Sequence, residues 1–160
     1  MDAHALWAFA LALYGRPGAA PACLALQDEA AADVTLVLYL IWCAETGRPL
    51  NAEAVRSADA AVAPWRAAVV APLRAVRRAM KAPLLPGLAT ESLRDRIKAS
   101  EIEAERLALV ILAGRAPAPE PSAPEPLAAA NRYLDLYAVH LGRPLPRVPR
   151  EALLRALAEA

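Results

Sequence analysis

Val34 to Ala44 is a stretch of eleven residues that is apolar except for Thr35, and Leu36, Val37, Leu38, Leu40, Ile41 and Trp42 occupy every side of a helical wheel drawn through it. A helix without a polar face cannot lie on a surface, so the rest of the chain has to wrap around this one. Eleven residues fall well short of the about 20 that a membrane-spanning helix needs. The wrapping material is therefore protein.

Elsewhere apolar residues recur at helical spacing, and no stretch sustains the two-residue alternation of a half-buried strand. The chain is 58% apolar but only 5% aromatic, with one Phe. Its core must be built from closely packed Ala, Leu and Val, which favours helices. The expected fold is all-α: one compact bundle of about six to eight helices, within the ordinary size of a single core for 160 residues.

Capping residues divide the chain. Asp2 precedes a helix over residues 3–14, and a second helix over 19–30 takes Pro21 in its first turn. Asp33 caps the apolar helix, which runs to Thr46, and Asn51 opens a fourth helix ending near Ala63. Three helices are followed by the same tripeptide, Gly15-Arg16-Pro17, Gly47-Arg48-Pro49 and Gly142-Arg143-Pro144. These read as stop signals: a left-handed Gly, an Arg facing the negative helix end, and a Pro that blocks continuation.

From Trp65 to Lys81 a further helix carries Val69, Leu73, Val76 and Met80 on one face, with a bend expected at Pro72. Leu93, Ile97, Ser100, Ala104, Leu107 and Ile111 line the longest helix, 91–113, so the two seams predict a long antiparallel hairpin over 65–113. Residues 116–126 hold five prolines and read as an extended strap, roughly 35 Å long at about 3.1 Å per residue. The expected organisation is a main helical domain over 1–115, the strap, and C-terminal helices over 127–160 that pack on the same domain.

Cys23 and Cys43, twenty positions apart in apolar surroundings, have the look of reduced core residues. Ala5 to Tyr14 resembles the apolar part of an export leader, yet Asp2 and His4 stand where such a leader carries Lys or Arg. A cytoplasmic protein is expected. Net charge is +1, too small to attract nucleic acid globally. The charge is uneven, however: residues 1–63 hold three basic against seven acidic residues, and residues 64–82 hold five basic and none acidic.

The sequence carries no phosphate loop, nucleophile elbow, Cys-x-x-Cys or His-Glu-x-x-His, and no Glu-x-x-His pair for a di-iron site. No catalytic residue, cofactor or metal is assigned. His4 and His140 read as structural. Glu101, Glu103 and Glu105 read as a solvated face beside Arg94, Lys98 and Arg106.

Two groups are left as candidate sites. Tyr14, Arg16, Gln27, Asp28 and Asp33, with Thr35 beside them, surround two helix junctions, where polar groups borne on loops often bind a ligand. Arg74, Arg77, Arg78 and Lys81 stand at i, i+3, i+4 and i+7, forming a basic stripe suited to a protein partner with an acidic surface. Nucleic acid fits the stripe less well, because Trp65 is its only aromatic neighbour.

Leu13-Tyr14, Pro17-Gly18, Cys23-Leu24-Ala25-Leu26-Gln27-Asp28, Asp33-Val34, Leu36-Val37-Leu38 and Trp42, preceded by Trp7, together resemble the opening motif of a small bacterial family known only as a domain of unknown function. A looser likeness continues through Trp65, Pro72-Leu73-Arg74 and the long helix, leaving the strap and C-terminal helices outside. Ala32 stands where the family pattern has glycine, and Thr35 where it has asparagine. The resemblance implies a bacterial cytoplasmic protein and supplies no activity. The reading that follows is a non-enzymatic interaction or regulatory protein, able to form homo-oligomers. The alternative is a helical small-molecule-binding domain, possessing enzymatic activity in its strongest form, around Tyr14, Arg16, Gln27, Asp28 and Asp33.

Overall fold

The computed structural model describes residues 2–159. Asp33 begins the central helix as expected: its Oδ1 accepts from the Thr35 N–H at 2.9 Å and the Leu36 N–H at 3.4 Å. The helix it starts, α3 (Val34–Glu45), is buried from Thr35 through Ala44. Around it stand α1 (Asp2–Tyr14), α2 (Ala19–Ala30), α4 (Ala52–Trp65), α5 (Ala71–Ala79), α6 (Glu91–Ala113), α7 (Pro126–Leu141) and α8 (Arg147–Ala158). The described residues contain no strand, and none of their helices is long and apolar enough to cross a membrane.

The break expected near Ala63 does not occur. A π-helical turn, Arg66–Val70, joins α4 to α5, and right-handed helical backbone continues through Arg66, Val70 and Ala71, so 52–79 is one helix. The described residues thus hold seven uninterrupted helices. Pro64 and Pro72 flank the turn, where each ring crowds a carbonyl one turn earlier. Widening to the Ala71 N–H to Arg66 carbonyl bond accommodates Pro72 without breaking the helix.

The apolar seam expected between 65–81 and 91–113 is mostly not a buried seam. Val76, Leu93, Leu107 and Ile111 are exposed, whereas α6 buries Glu101, Ala104, Ala108, Leu109, Leu112 and Ala113. Polar ties hold these helices together: the Trp65 indole N–H donates to the Ala104 carbonyl at 2.9 Å and Arg94 donates to the Arg77 carbonyl at 3.1 Å.

The C-terminal helices belong to the core. α7 lies along α3 and α8 along α2, and Tyr133, Leu134, Tyr137, Leu153 and Leu157 join the same apolar cluster as α3. The strap is largely exposed but docked, with the Glu120 N–H on the Gly47 carbonyl at 2.8 Å and Arg48 on the Pro117 carbonyl at 2.7 Å.

Gly47 and Gly142 are left-handed, at φ 66° and 68°, as stop signals require; after α1 that conformation falls on Gly18, at 82°, not Gly15. The arginines of the first two tripeptides reach beyond their own helix ends, although Arg48 also donates to Thr46 Oγ1 at the end of α3, at 3.1 Å. Arg16 donates to the Ala156 and Leu157 carbonyls at the end of α8, at 2.9 and 3.4 Å. Arg48 is buried, lies 4.6 Å from the Trp42 ring centroid, and ties down the strap.

Candidate functional site

α1 turns Trp7, Ala10, Leu11 and Tyr14 to one side, the i, i+3, i+4, i+7 face of that helix. α6 presents Lys98, Glu101, Ile102, Glu105 and Leu109 toward them at the same kind of spacing. Leu24 and Gln27 of α2, Val34, Thr35 and Leu38 of α3, and Arg74 and Arg77 of α5 complete a cleft of about 390 Å³. That volume lies in the range of small-molecule sites, as does the mixture of apolar walls with a few polar groups.

Members of both candidate groups meet here. Tyr14 and Gln27 share the cleft with Arg74 and Arg77. The other three of the first group do not line it. Arg16 donates to the end of α8. Asp28 pairs with Arg78 at 2.9 Å on an exposed surface. Asp33 is committed to its cap and to Arg66, 2.6 Å away.

The cleft floor is charged. Arg74 reaches Glu101 at 3.0 Å and Glu105 at 2.6 Å, and Arg77 also pairs with Glu101. Glu101 is only 5% exposed, so the solvated-face reading holds for Glu103, which pairs with Arg106, and fails for Glu101. Glu101 and Glu105, at i and i+4, share the inward face that Glu103 leaves. Burial pushes the Glu101 carboxyl up, but the hydrogen bonds from Arg77 and Arg74 prevail and hold it below its ordinary range. For Glu105 burial prevails and the carboxyl is raised, with Arg74 only partly offsetting it. Burial also raises Tyr14, aided by Cys23 and Glu105, so its phenol remains a neutral donor.

With these pairs made, the cleft retains four polar ends that have no hydrogen-bond partner among the described residues: the Trp7 indole N–H, the Tyr14 hydroxyl, the Gln27 amide and the exposed Lys98 ammonium. Lys98, Glu101 and Glu105 were absent from the sequence-derived candidate groups. Their spacing with Ile102 and Leu109 is the signal that marks them.

A second polar chain lies behind Thr35. Arg66 bridges Asp33 Oδ2 and Asp59 Oδ1, at 2.6 and 2.8 Å, and His140 Nε2 meets Asp59 Oδ2 at 2.8 Å. Burial raises the Asp59 carboxyl, but His140 and Arg66 bring it below its usual value. The Tyr137 hydroxyl accepts from the Asp33 N–H at 2.9 Å. Cys23 and Cys43 are free and buried, and burial pushes both thiols up to about 12, which makes them poor nucleophiles. The described residues contain no group of three His, Cys, Asp or Glu placed to hold a metal. A wider depression of about 450 Å³, between the α3–α4 loop and α7, is lined by Pro49, Leu50, Pro124 and Ala128 with Arg132 as its charged member. Its other polar members are engaged: Asn51 caps α4, and the Tyr133 hydroxyl donates to the Arg48 carbonyl at 3.0 Å.

A family model described as protein of unknown function (DUF2390) matches residues 5–112. The chain belongs to this family. The DUF2390 span contains every residue of the cleft and stops before the strap, α7 and α8. No curated protein and no solved structure matches the chain.

Proposed function

We propose that this DUF2390 member is a bacterial cytoplasmic binding protein whose cleft takes a small amphipathic molecule with an apolar body and an acceptor-rich, anionic head. The observation that carries this reading is the convergence of Tyr14, Gln27 and Lys98, each without a partner among the described residues, on a cleft walled by Trp7, Leu11, Leu24 and Ile102. All three can donate, and three cations, Arg74, Arg77 and Lys98, stand beside two carboxylates. Two buried free cysteines suit a reducing compartment. Binding of such a ligand supports a regulatory role by population shift.

The reading in which Arg74, Arg77, Arg78 and Lys81 dock an acidic protein has less support, because the first three already pair within the chain. A homo-oligomer remains compatible with both readings.

Calorimetric titration with decanoate, and with decanol as the uncharged control, tests the proposal. Decanoate is expected to bind, and Lys98→Met and Tyr14→Phe are each expected to weaken it by about tenfold or more, as loss of a charge-assisted hydrogen bond does. Equal affinity for decanol, or variants that bind decanoate as the wild type does, would remove the cleft as the site of an anionic ligand.

A further inference from the structure

The cluster of buried apolar residues has no member between Val62 and Ala108, α5 has no buried residue, and positions 91–100 of α6 have none either. The α5–α6 loop, residues 80–90, therefore stands at the far end of two helices that leave the core behind. It carries Leu84, Leu85 and Leu88 at 65%, 57% and 66% exposure. A tight turn holds two of them in place: Leu85-Pro86-Gly87-Leu88 has Gly87 at φ 82° and the Leu88 N–H on the Leu85 carbonyl at 3.1 Å. Pro at the second position and a left-handed Gly at the third are what a type II turn demands, so the chain is locally built to hold these leucines in water. Three exposed leucines in one short loop, two of them fixed by the turn, mark a contact site.

Charge identifies what they contact. Residues 79–98 hold four basic and two acidic residues, +2, while the remainder of the chain carries −1 of the total +1. The loop itself has Lys81 and no acidic residue. Lys81 in the loop and Arg96 in the early turns of α6 are exposed and form no ion pair among the described residues. Apolar side chains at a tip, with exposed cations in the loop and the helix that follows, match the boundary of an anionic bilayer, where leucines enter the acyl region and Lys and Arg meet the headgroups.

We infer that the α5–α6 tip docks on anionic membrane surfaces, with Leu84, Leu85 and Leu88 inserting and Lys81 and Arg96 contacting headgroups. The inference is independent of what the cleft binds. The test is flotation of the full chain with vesicles of phosphatidylcholine alone and with vesicles in which about a third of the lipid is phosphatidylglycerol. The wild type is expected to float with the anionic vesicles, less so as salt rises, and to stay behind with the neutral ones. Leu84→Asp with Leu88→Asp changes only exposed side chains, so the variant keeps its fold by circular dichroism and loses binding by about tenfold or more. Lys81→Glu with Arg96→Glu should weaken binding roughly fivefold or more per site, from the ~1 kcal/mol each cation gains near an anionic leaflet. Failure of the wild type to float, or flotation of the leucine variant as well as the wild type, overturns the inference. Self-association in the absence of vesicle binding, abolished by the leucine substitutions, assigns the tip to a second copy of the chain and overturns it equally.

Discussion

Arg16 donates to the Ala156 carbonyl at 2.9 Å, a bond between residues 140 positions apart. It joins the loop after α1 to the end of α8, where unpaired carbonyls carry the negative end of the helix dipole. Arg16→Ala is expected to cost about 1.5–3 kcal/mol, the usual range for a hydrogen bond to a charged group. Truncation after Arg115 goes further, because it removes α7 and α8 from α3 and α2. The truncated chain should show no cooperative urea transition; a sharp one would establish that residues 1–115 fold alone.

Ala31, which follows α2, has φ 54°, the one positive value on a non-glycine residue among those described. Its N–H bonds to the Leu26 carbonyl, so the conformation is the helix's own left-handed stop. A Cβ there costs about 1 kcal/mol. Ala31→Gly should therefore raise the urea midpoint, and a lowered midpoint would show that the lost chain entropy outweighs the relieved strain.

The family resemblance puts a glycine at position 32, one residue beyond the place where the backbone uses one. Near misses of this sort show what the sequence discloses and what it withholds. Asp33 and Asn51 were legible as caps because a cap is a local hydrogen bond; Asn51 Oδ1 accepts from the Ala54 N–H at 2.8 Å. The all-apolar helix was legible because no surface can hold it. The continuous helix over 52–79 was not, since Pro64 and Pro72 signal a break unless a π turn absorbs them. Nor was the cleft, because Tyr14 and Gln27 meet Arg74 and Arg77 only through the packing of α1 and α2 beside α5 and α6. Glu101 reads as solvated from the sequence because a glutamate clustered with Glu103 and Glu105 beside lysines and arginines of its own helix gives no sign of two arginines arriving from another.

Glu101 and Glu105 share Arg74 yet respond oppositely to pH. Glu101, lowered from 4.5, contributes stability above its unfolded value that is lost as pH falls through the folded one. Glu105, raised from 4.5, contributes stability that is complete below pH 4.5 and is lost as pH rises through the folded value. In urea melts across a pH series, the deficit of Glu101→Gln relative to wild type should shrink on acidification. The deficit of Glu105→Gln should shrink as pH rises from 4.5. Parallel profiles for the two variants would mean that the carboxyls share one environment.

Asp33 does two jobs with its two oxygens, and two substitutions separate them. Oδ1 caps α3 and also accepts from the Thr35 hydroxyl at 2.6 Å, while Oδ2 holds Arg66. The Asp33 side chain is 9% exposed and Arg66 31%, so water cannot replace the pair fully. Asp33→Asn keeps an acceptor at the cap but loses the charge, and Arg66 retains Asp59; a cost of about 1–2 kcal/mol is expected. Asp33→Ala removes the cap as well and should cost about 1 kcal/mol more. If Asn and Ala are equally destabilising, the cap contributes nothing and the Thr35 contact is incidental. If Asn matches wild type, the Arg66 pair is no stronger than an exposed one. Repeating the Asn substitution in an Arg66→Met background should abolish most of its cost, because the two changes then remove the same interaction.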